Sequence, residues 1–219
     1  MLPQPPAAGT GRPPDAAPTP DALYGVFGES AFEPGLFYAN EPALRFELSR
    51  GGTHVEQFTQ AYDRAREIAR HVFGDSASLV VVLAWWGEGP PVRHLDVFRS
   101  LRACGVRVTR PRSCWARAWE DQYGLETRTF AAFRADVSAL DGLLWGPLAA
   151  DLGIRPRLPA RIYLADPERG VLLHPYDDRG MDVIGPDRAL LAHLYARFHD
   201  YLLPYDLERM RAFFGDHGP

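Results

Sequence analysis

Lysine is absent from this chain: all 24 of its basic residues are arginine. That bias reads as GC-rich bacterial codon usage rather than as a binding signal, and it removes the lysine that a phosphate-binding loop requires. Only two cysteines, Cys104 and Cys114, occur in 219 residues, too few for a disulfide framework. No apolar run approaches the roughly 18 residues that a membrane-spanning helix needs. The N-terminus lacks the basic start and apolar core of a signal peptide. A GxSxG elbow, an HExxH helix and a CxxC pair are missing as well. These absences point to a cytoplasmic protein of a reducing compartment, with no membrane partner.

The residues that are present suffice for a core. With 46% hydrophobic and 24% charged residues, the expected organisation is a Pro/Ala-rich tail over 1–22 and a single domain over 23–219. Seven of the 20 prolines fall in that tail beside almost no large apolar residue, so it cannot offset its ordering entropy. A formal net charge of −4 argues against nucleic acid as the partner. The one basic concentration, Arg99, Arg102, Arg107, Arg110, Arg112 and Arg117 with Trp115 and Trp119, runs directly into Glu120 and Asp121.

Periodicity outlines the elements. Residues 36–38 and 44–48 read as strands, the second because Leu44, Phe46 and Leu48 alternate with Arg45 and Glu47. Thr53 and Glu56 form a capping box. Behind it Val55, Phe58, Tyr62, Ala65, Ala69 and Val72 recur on one helical face, closed by Gly74. Residues 79–86, apolar throughout, predict a strand covered on both sides. A helix over 92–103 that includes His94, a short strand at Val106 and Val108, and a strand over 125–133 follow. Asp136 or Ser138 caps a helix through Leu140 and Leu144, which Gly146-Pro147 should kink or break. Two helices close the chain, through Leu190 to Leu202 and Leu207 to Phe214. The class is α+β: a mixed, mostly antiparallel sheet with a C-terminal strand meander, packed by several helices.

That meander, 161–185, carries the densest polar cluster. Asp166 to Gly170 suits a turn closed by a left-handed glycine. Tyr176-Asp177-Asp178-Arg179-Gly180 repeats the pattern, with Gly180 expected at positive φ. One turn requires one Asp, yet Asp177, Asp178 and Asp182 stand within six residues beside His174, Tyr176 and Arg179. Three readings account for the surplus. In the first, Tyr176, Asp177, Asp178, Arg179, Asp182 and His174 form or support a contact surface for a protein partner, with no cofactor. In the second, Glu47, Asp178 and Asp182 hold magnesium, which prefers carboxylate oxygens, and His174 or Tyr176 serves as acid or base in a hydrolase or phosphodiesterase. In the third, Asp182 or Asp178 pairs with Arg45 or Arg179 and pins the meander to the first strand.

Leu36-Phe37-Tyr38 with Leu44 to Leu48, Tyr176 to Asp182, and Leu194-Tyr195 through Phe198 to Tyr205-Asp206 together carry a resemblance. Over roughly residues 35–214 the chain resembles a bacterial family of uncharacterised domains that share an LRFEL strand and a YDDRGMD-type turn. Ser49 and Pro204 depart from the pattern, standing where that family often has glycine and an acidic residue. The resemblance implies a small bacterial cytoplasmic protein and supplies no established activity. Small acidic α+β proteins of this kind often act by binding, as immunity proteins do, so an immunity-like, non-catalytic role is the leading expectation.

Overall fold

The computed structural model describes residues 18–33, 35–87, 95–108, 112–121 and 124–215. In chain order the elements are helix α1 (Pro20–Phe27), short helix α2 (Leu36–Ala39), strand β1 (Ala43–Glu47), helix α3 (His54–Phe73) and strand β2 (Ser78–Trp86). Helix α4 (Leu95–Ala103), strands β3 (Ser113–Asp121) and β4 (Gly124–Asp136) and helix α5 (Leu140–Leu148) follow. The meander then supplies β5 (Arg161–Asp166), β6 (Val171–Asp177) and β7 (Gly180–Ile184), before α6 (Arg188–Arg197) and α7 (Leu207–Phe214). The expected positions of His94 and Arg110, the first residues of the 92–103 helix, the side chain of Trp119 and residues 1–17 of the tail lie outside the described residues. Helix α1 starts at Pro20, just inside the segment read as tail, with Thr19 as its side-chain cap.

Seven strands make one sheet in the order β1-β7-β6-β5-β2-β4-β3, and every pairing is antiparallel. The α+β reading therefore holds, with no parallel component in the described sheet. Residues 79–85 of β2 are buried on both faces, as their unbroken apolar run requires. On one face Phe32, just after α1, sets its ring 5.2 Å from Tyr163, 6.2 Å from Phe130 and 6.3 Å from Trp115. On the other, Phe46 meets Phe198 at the end of α6, Trp85 meets Phe98 of α4, and Phe58 of α3 packs on Trp145 of α5. The sheet is thus the middle layer of three.

The capping box of α3 forms as expected, with Thr53 N donating to Glu56 Oε2 at 2.9 Å and Glu56 N to Thr53 Oγ1 at 3.3 Å. Its buried face runs through Phe58, Ala61, Ala65, Ile68, Ala69 and Val72, but Val55 stands exposed at the N-terminus. Pro147 sits inside the last turn of α5 without ending it.

Four element readings differ from the expectation. The helix expected through Leu190 to Leu202 ends at Arg197, and Leu202 instead forms a bridge to Phe46 of β1. Residues 36–38 are helical rather than extended: Asn40 Nδ2 donates to the Leu36 carbonyl at 2.8 Å, and a three-residue apolar run carries no period to tell strand from helix. Val106 and Val108 lie outside any strand; the Val106 amide instead closes α4 by donating to the Leu101 carbonyl at 2.9 Å. Residues 113–121, left without an element by the sequence reading, form β3 at the sheet's edge.

A candidate interaction site braced by buried charge

Strand register builds this site. Arg45 lies opposite Asp182 in the β1–β7 pairing, and Glu47 lies opposite Gly180. Arg45 Nε donates to Asp182 Oδ1 at 2.7 Å and Nη2 to Oδ2 at 2.9 Å, a two-pronged pairing suited to a planar guanidinium. The Phe37 amide of α2 donates to Asp182 Oδ2 at 3.2 Å. Asp206, just before α7, stands 3.7 Å from Arg45 Nη1 and accepts from Tyr38 Oη at 3.0 Å. One partly buried Arg45 thus ties together β1, β7, α2 and the C-terminal segment, which is the bracing role among the three readings.

Aromatic rings enclose that guanidinium. Its carbon lies 4.6 Å from the Tyr38 ring centroid, 4.9 Å from Phe37 and 5.6 Å from Tyr176. Burial alone would lower the Arg45 pKa, but the hydrogen bonds and field of Asp182 outweigh it and raise it above its usual value. Burial raises the Asp182 carboxyl above its usual value, outweighing the downward pull of Arg45 and the Phe37 amide.

Each of the other sequence candidates has a definite place. Asp177 accepts from the Arg179 amide at 2.8 Å and from Arg179 Nε at 2.9 Å, so it caps its own turn. Asp178 is buried and accepts from Ser49 Oγ at 3.4 Å, the residue that departs from the family pattern. Burial, then the neighbouring Asp177, push the Asp178 carboxyl upward. Arg179 itself is exposed and reaches 4.0 Å from Asp151. His174 is buried with Nδ1 2.8 Å from the Ile162 carbonyl, hence protonated on Nδ1, and its ring stacks 4.3 Å from Tyr163. Burial draws its pKa down to about 4. Tyr176 is half-buried, and burial, then Asp182, raise its phenol.

Gly180 does not take the positive φ expected of it. Its role is space: a Cβ there would stand 1.9 Å from Tyr176 Oη and 2.9 Å from the Phe46 carbonyl oxygen. Gly170, by contrast, closes its turn at φ +61°, as read.

Glu47 comes to the turn's strand, but its carboxylate binds Arg50 Nε at 2.7 Å. Asp182 has both oxygens committed to Arg45. Among the described residues no group of three or more His, Cys, Asp or Glu is placed to hold a metal ion.

Two residues that the sequence reading passed over complete the surface. Tyr205 is 88% exposed and Tyr38 is 49% exposed, large rings on the outer side of the brace. Beside them Arg209 bonds Glu41 Oε1 at 2.7 Å and lies 5.8 Å from the Tyr38 ring centroid. Both tyrosines fall inside motifs that carried the family resemblance, which was the available signal.

The fold and this site define an α+β domain with an antiparallel sheet whose edge strand is locked by a buried ionic brace. The chain belongs to the family described as Domain of unknown function (DUF3885), whose model matches residues 20–206. Comparison with curated proteins and with solved structures gives no match. No helix among the described residues is long and apolar enough to cross a membrane.

Proposed function

We propose that this chain is a non-catalytic protein-binding domain of a bacterial cytoplasm, immunity-like in that it docks onto a basic partner protein. The observation that carries this reading is the pair of exposed tyrosines, Tyr38 and Tyr205, presented over the fixed Asp182–Arg45–Asp206 brace. Tyrosine and arginine are the residues that most often anchor protein interfaces. Anchors already held in one geometry lose little freedom on binding, so more of their contact energy appears as affinity. Tyr38 is held in this way through its bond to Asp206, whereas Tyr205 projects beyond it.

Charge favours a basic partner. Around the brace Glu41, Glu47, Asp151, Asp177, Asp178, Asp182 and Asp206 outnumber Arg45, Arg50, Arg64, Arg179 and Arg209. Buried and capped as they are, the turn carboxylates support this surface by shaping and biasing it; direct contact falls to Tyr38, Tyr205, Arg179 and Arg209. Such a long-range bias acts chiefly on the association rate and weakens with salt.

The test is co-purification of the tagged chain beside a Tyr38→Ala/Tyr205→Ser version with matched thermal stability, followed by titration of the recovered partner. The proposal expects a basic protein held by the unaltered chain, lost with the double variant, and bound more slowly as salt rises. Equal recovery with both versions would overturn it.

A further inference from the structure

Outside the brace, α3 and α6 bring two histidines together. On α3 the buried residues Ile68, Ala69, Val72 and Phe73 leave His71, in the last turn, on the exposed flank. On α6 the buried residues Leu191, Leu194 and Tyr195 do the same for His193. The two exposed rings meet between the helices, with His193 Nε2 standing 3.0 Å from His71 Nε2. Their ring centres are 5.0 Å apart, so it is the Nε2 edges that face each other. The Phe198 ring, centred 5.5 Å from His71 and nearly perpendicular to it, backs the pair.

Such a contact needs one proton between two nitrogens. In the neutral pair one Nε2–H donates to the lone pair of the other, whereas two charged rings would oppose N–H to N–H. Moving that proton to Nδ1 of its own ring, with no change in charge, turns both Nε2 lone pairs into the gap. Two nitrogens bound at the usual 2.0–2.1 Å to one ion stand roughly 2.9–3.4 Å apart, for angles from square to tetrahedral. The 3.0 Å of this pair falls within that span. Burial, then His193 and the charges of Arg197 and Arg169, lower the His71 pKa against the opposing pull of Asp75. At neutral pH the ring is therefore in the uncharged form that binds metal. The surrounding charge is mixed: Arg197 and Arg169 oppose a cation and Asp75 favours one, and the Arg169 guanidinium donates to the Val72 carbonyl.

We infer that His71 and His193 form a two-histidine site for a divalent transition ion, zinc, nickel or copper(II), that links α3 to α6. Imidazole nitrogen suits these ions, whereas magnesium prefers oxygen. Two protein ligands leave the ion's remaining positions to water, so the bound ion is exchangeable rather than structural. The site uses none of the residues assigned to the tyrosine surface and does not depend on that reading. Its two ligands lie 122 positions apart, so no spacing in the sequence joins them.

Isothermal titration of the full, tag-free chain with zinc, nickel, copper(II) and magnesium chlorides tests this. The expected result is saturable one-to-one binding of at least one of the first three with Kd below about 100 μM, and none of magnesium. The tightest binder of the three identifies the preferred ion. His71→Ala and His193→Ala should each weaken binding at least about tenfold. His54→Ala, at an exposed histidine that opens α3, should leave it unchanged. Thermal melts give a second readout: an ion that bridges two helices of the folded chain raises its melting temperature, and should not raise that of either single variant. The same melts without metal verify that the variants fold. No saturable binding of any of the three ions, equal binding of magnesium, or unchanged affinity in either His71→Ala or His193→Ala would overturn the site.

Discussion

Breaking the brace from either side should cost unequal amounts that do not add. Asp182→Ala removes two charge-assisted bonds and the acceptor of the Phe37 amide. Loss of one partner from a buried pair costs about 3–5 kcal/mol. Arg45 keeps Asp206 at 3.7 Å and the Tyr38, Phe37 and Tyr176 rings, so the lower figure, about 3 kcal/mol, is expected. Arg45→Met leaves Asp182 at 1% exposure with only the Phe37 amide, and about 4 kcal/mol is expected at neutral pH. Arg45→Met/Asp182→Leu strands neither charge of the pair and should cost only about 4 kcal/mol, a coupling of about 3 kcal/mol. The Arg45→Met penalty also carries a pH signature. Burial without a counter-ion holds the Asp182 carboxyl above its unfolded value of about 3.9, so its neutral form is favoured below that value and stability is lost as pH rises. The penalty should therefore shrink between pH 7 and pH 4. Equilibrium urea unfolding of the four proteins at both pH values measures this. Single costs under about 1 kcal/mol, or a double cost equal to the two singles together, would refute the brace.

Further outcomes follow from the same geometry. Gly180→Ala should cost about 1–3 kcal/mol in urea unfolding, because its Cβ meets Tyr176 Oη and the Phe46 carbonyl, and Tyr176→Ala in the same chain should recover part of that loss. His174 is buried neutral with a folded pKa of about 4 against about 6.5 unfolded. Its contribution is complete above pH 6.5 and falls by about 3 kcal/mol as pH drops to 4; a His174→Gln chain should show a flatter profile over that interval. Asp178, raised by burial and Asp177, is strained as an anion, so Asp178→Asn should stabilise the protein at pH 7 by up to about 1 kcal/mol and lose that advantage in acid. Tyr205→Ser, at an 88% exposed position, should leave the melting temperature unchanged.

Local chemistry carried most of the legible fold. The Thr53–Glu56 box and the unbroken apolar run of β2 each act over a few residues and appear where their residues predict; the meander's strands also fall where expected, but they are buried on both faces rather than alternately. Residues 36–38 were misread because three apolar residues have no period, and because what fixes them is remote: Asp182 lies 145 positions from the Phe37 amide it binds. β3 did carry an alternation, Cys114 and Ala116 against Trp115 and Arg117, but Arg117 reads in the sequence as the end of a run of basic residues rather than as part of one face of a strand. The acidic turn was visible as a surplus, and the pairing of Asp182 with Arg45 was one of the arrangements it allowed. What could not be read was that the carboxylates would be buried, leaving Tyr38 and Tyr205 as the exposed groups. Burial is decided by α2 and the C-terminal segment folding over the sheet edge, through the Phe46–Leu202 bridge and the Leu203 amide's bond to the Arg45 carbonyl.

The most direct measurement of the proposed role is site-specific photo-crosslinking in the cells that make this protein. A benzophenone amino acid is placed at Tyr205, and a control is placed at exposed Val55 on α3. The account predicts a discrete adduct with a basic protein from position 205, abolished by Tyr38→Ala and absent from position 55. No adduct at 205, or an equal one at both positions, would contradict it.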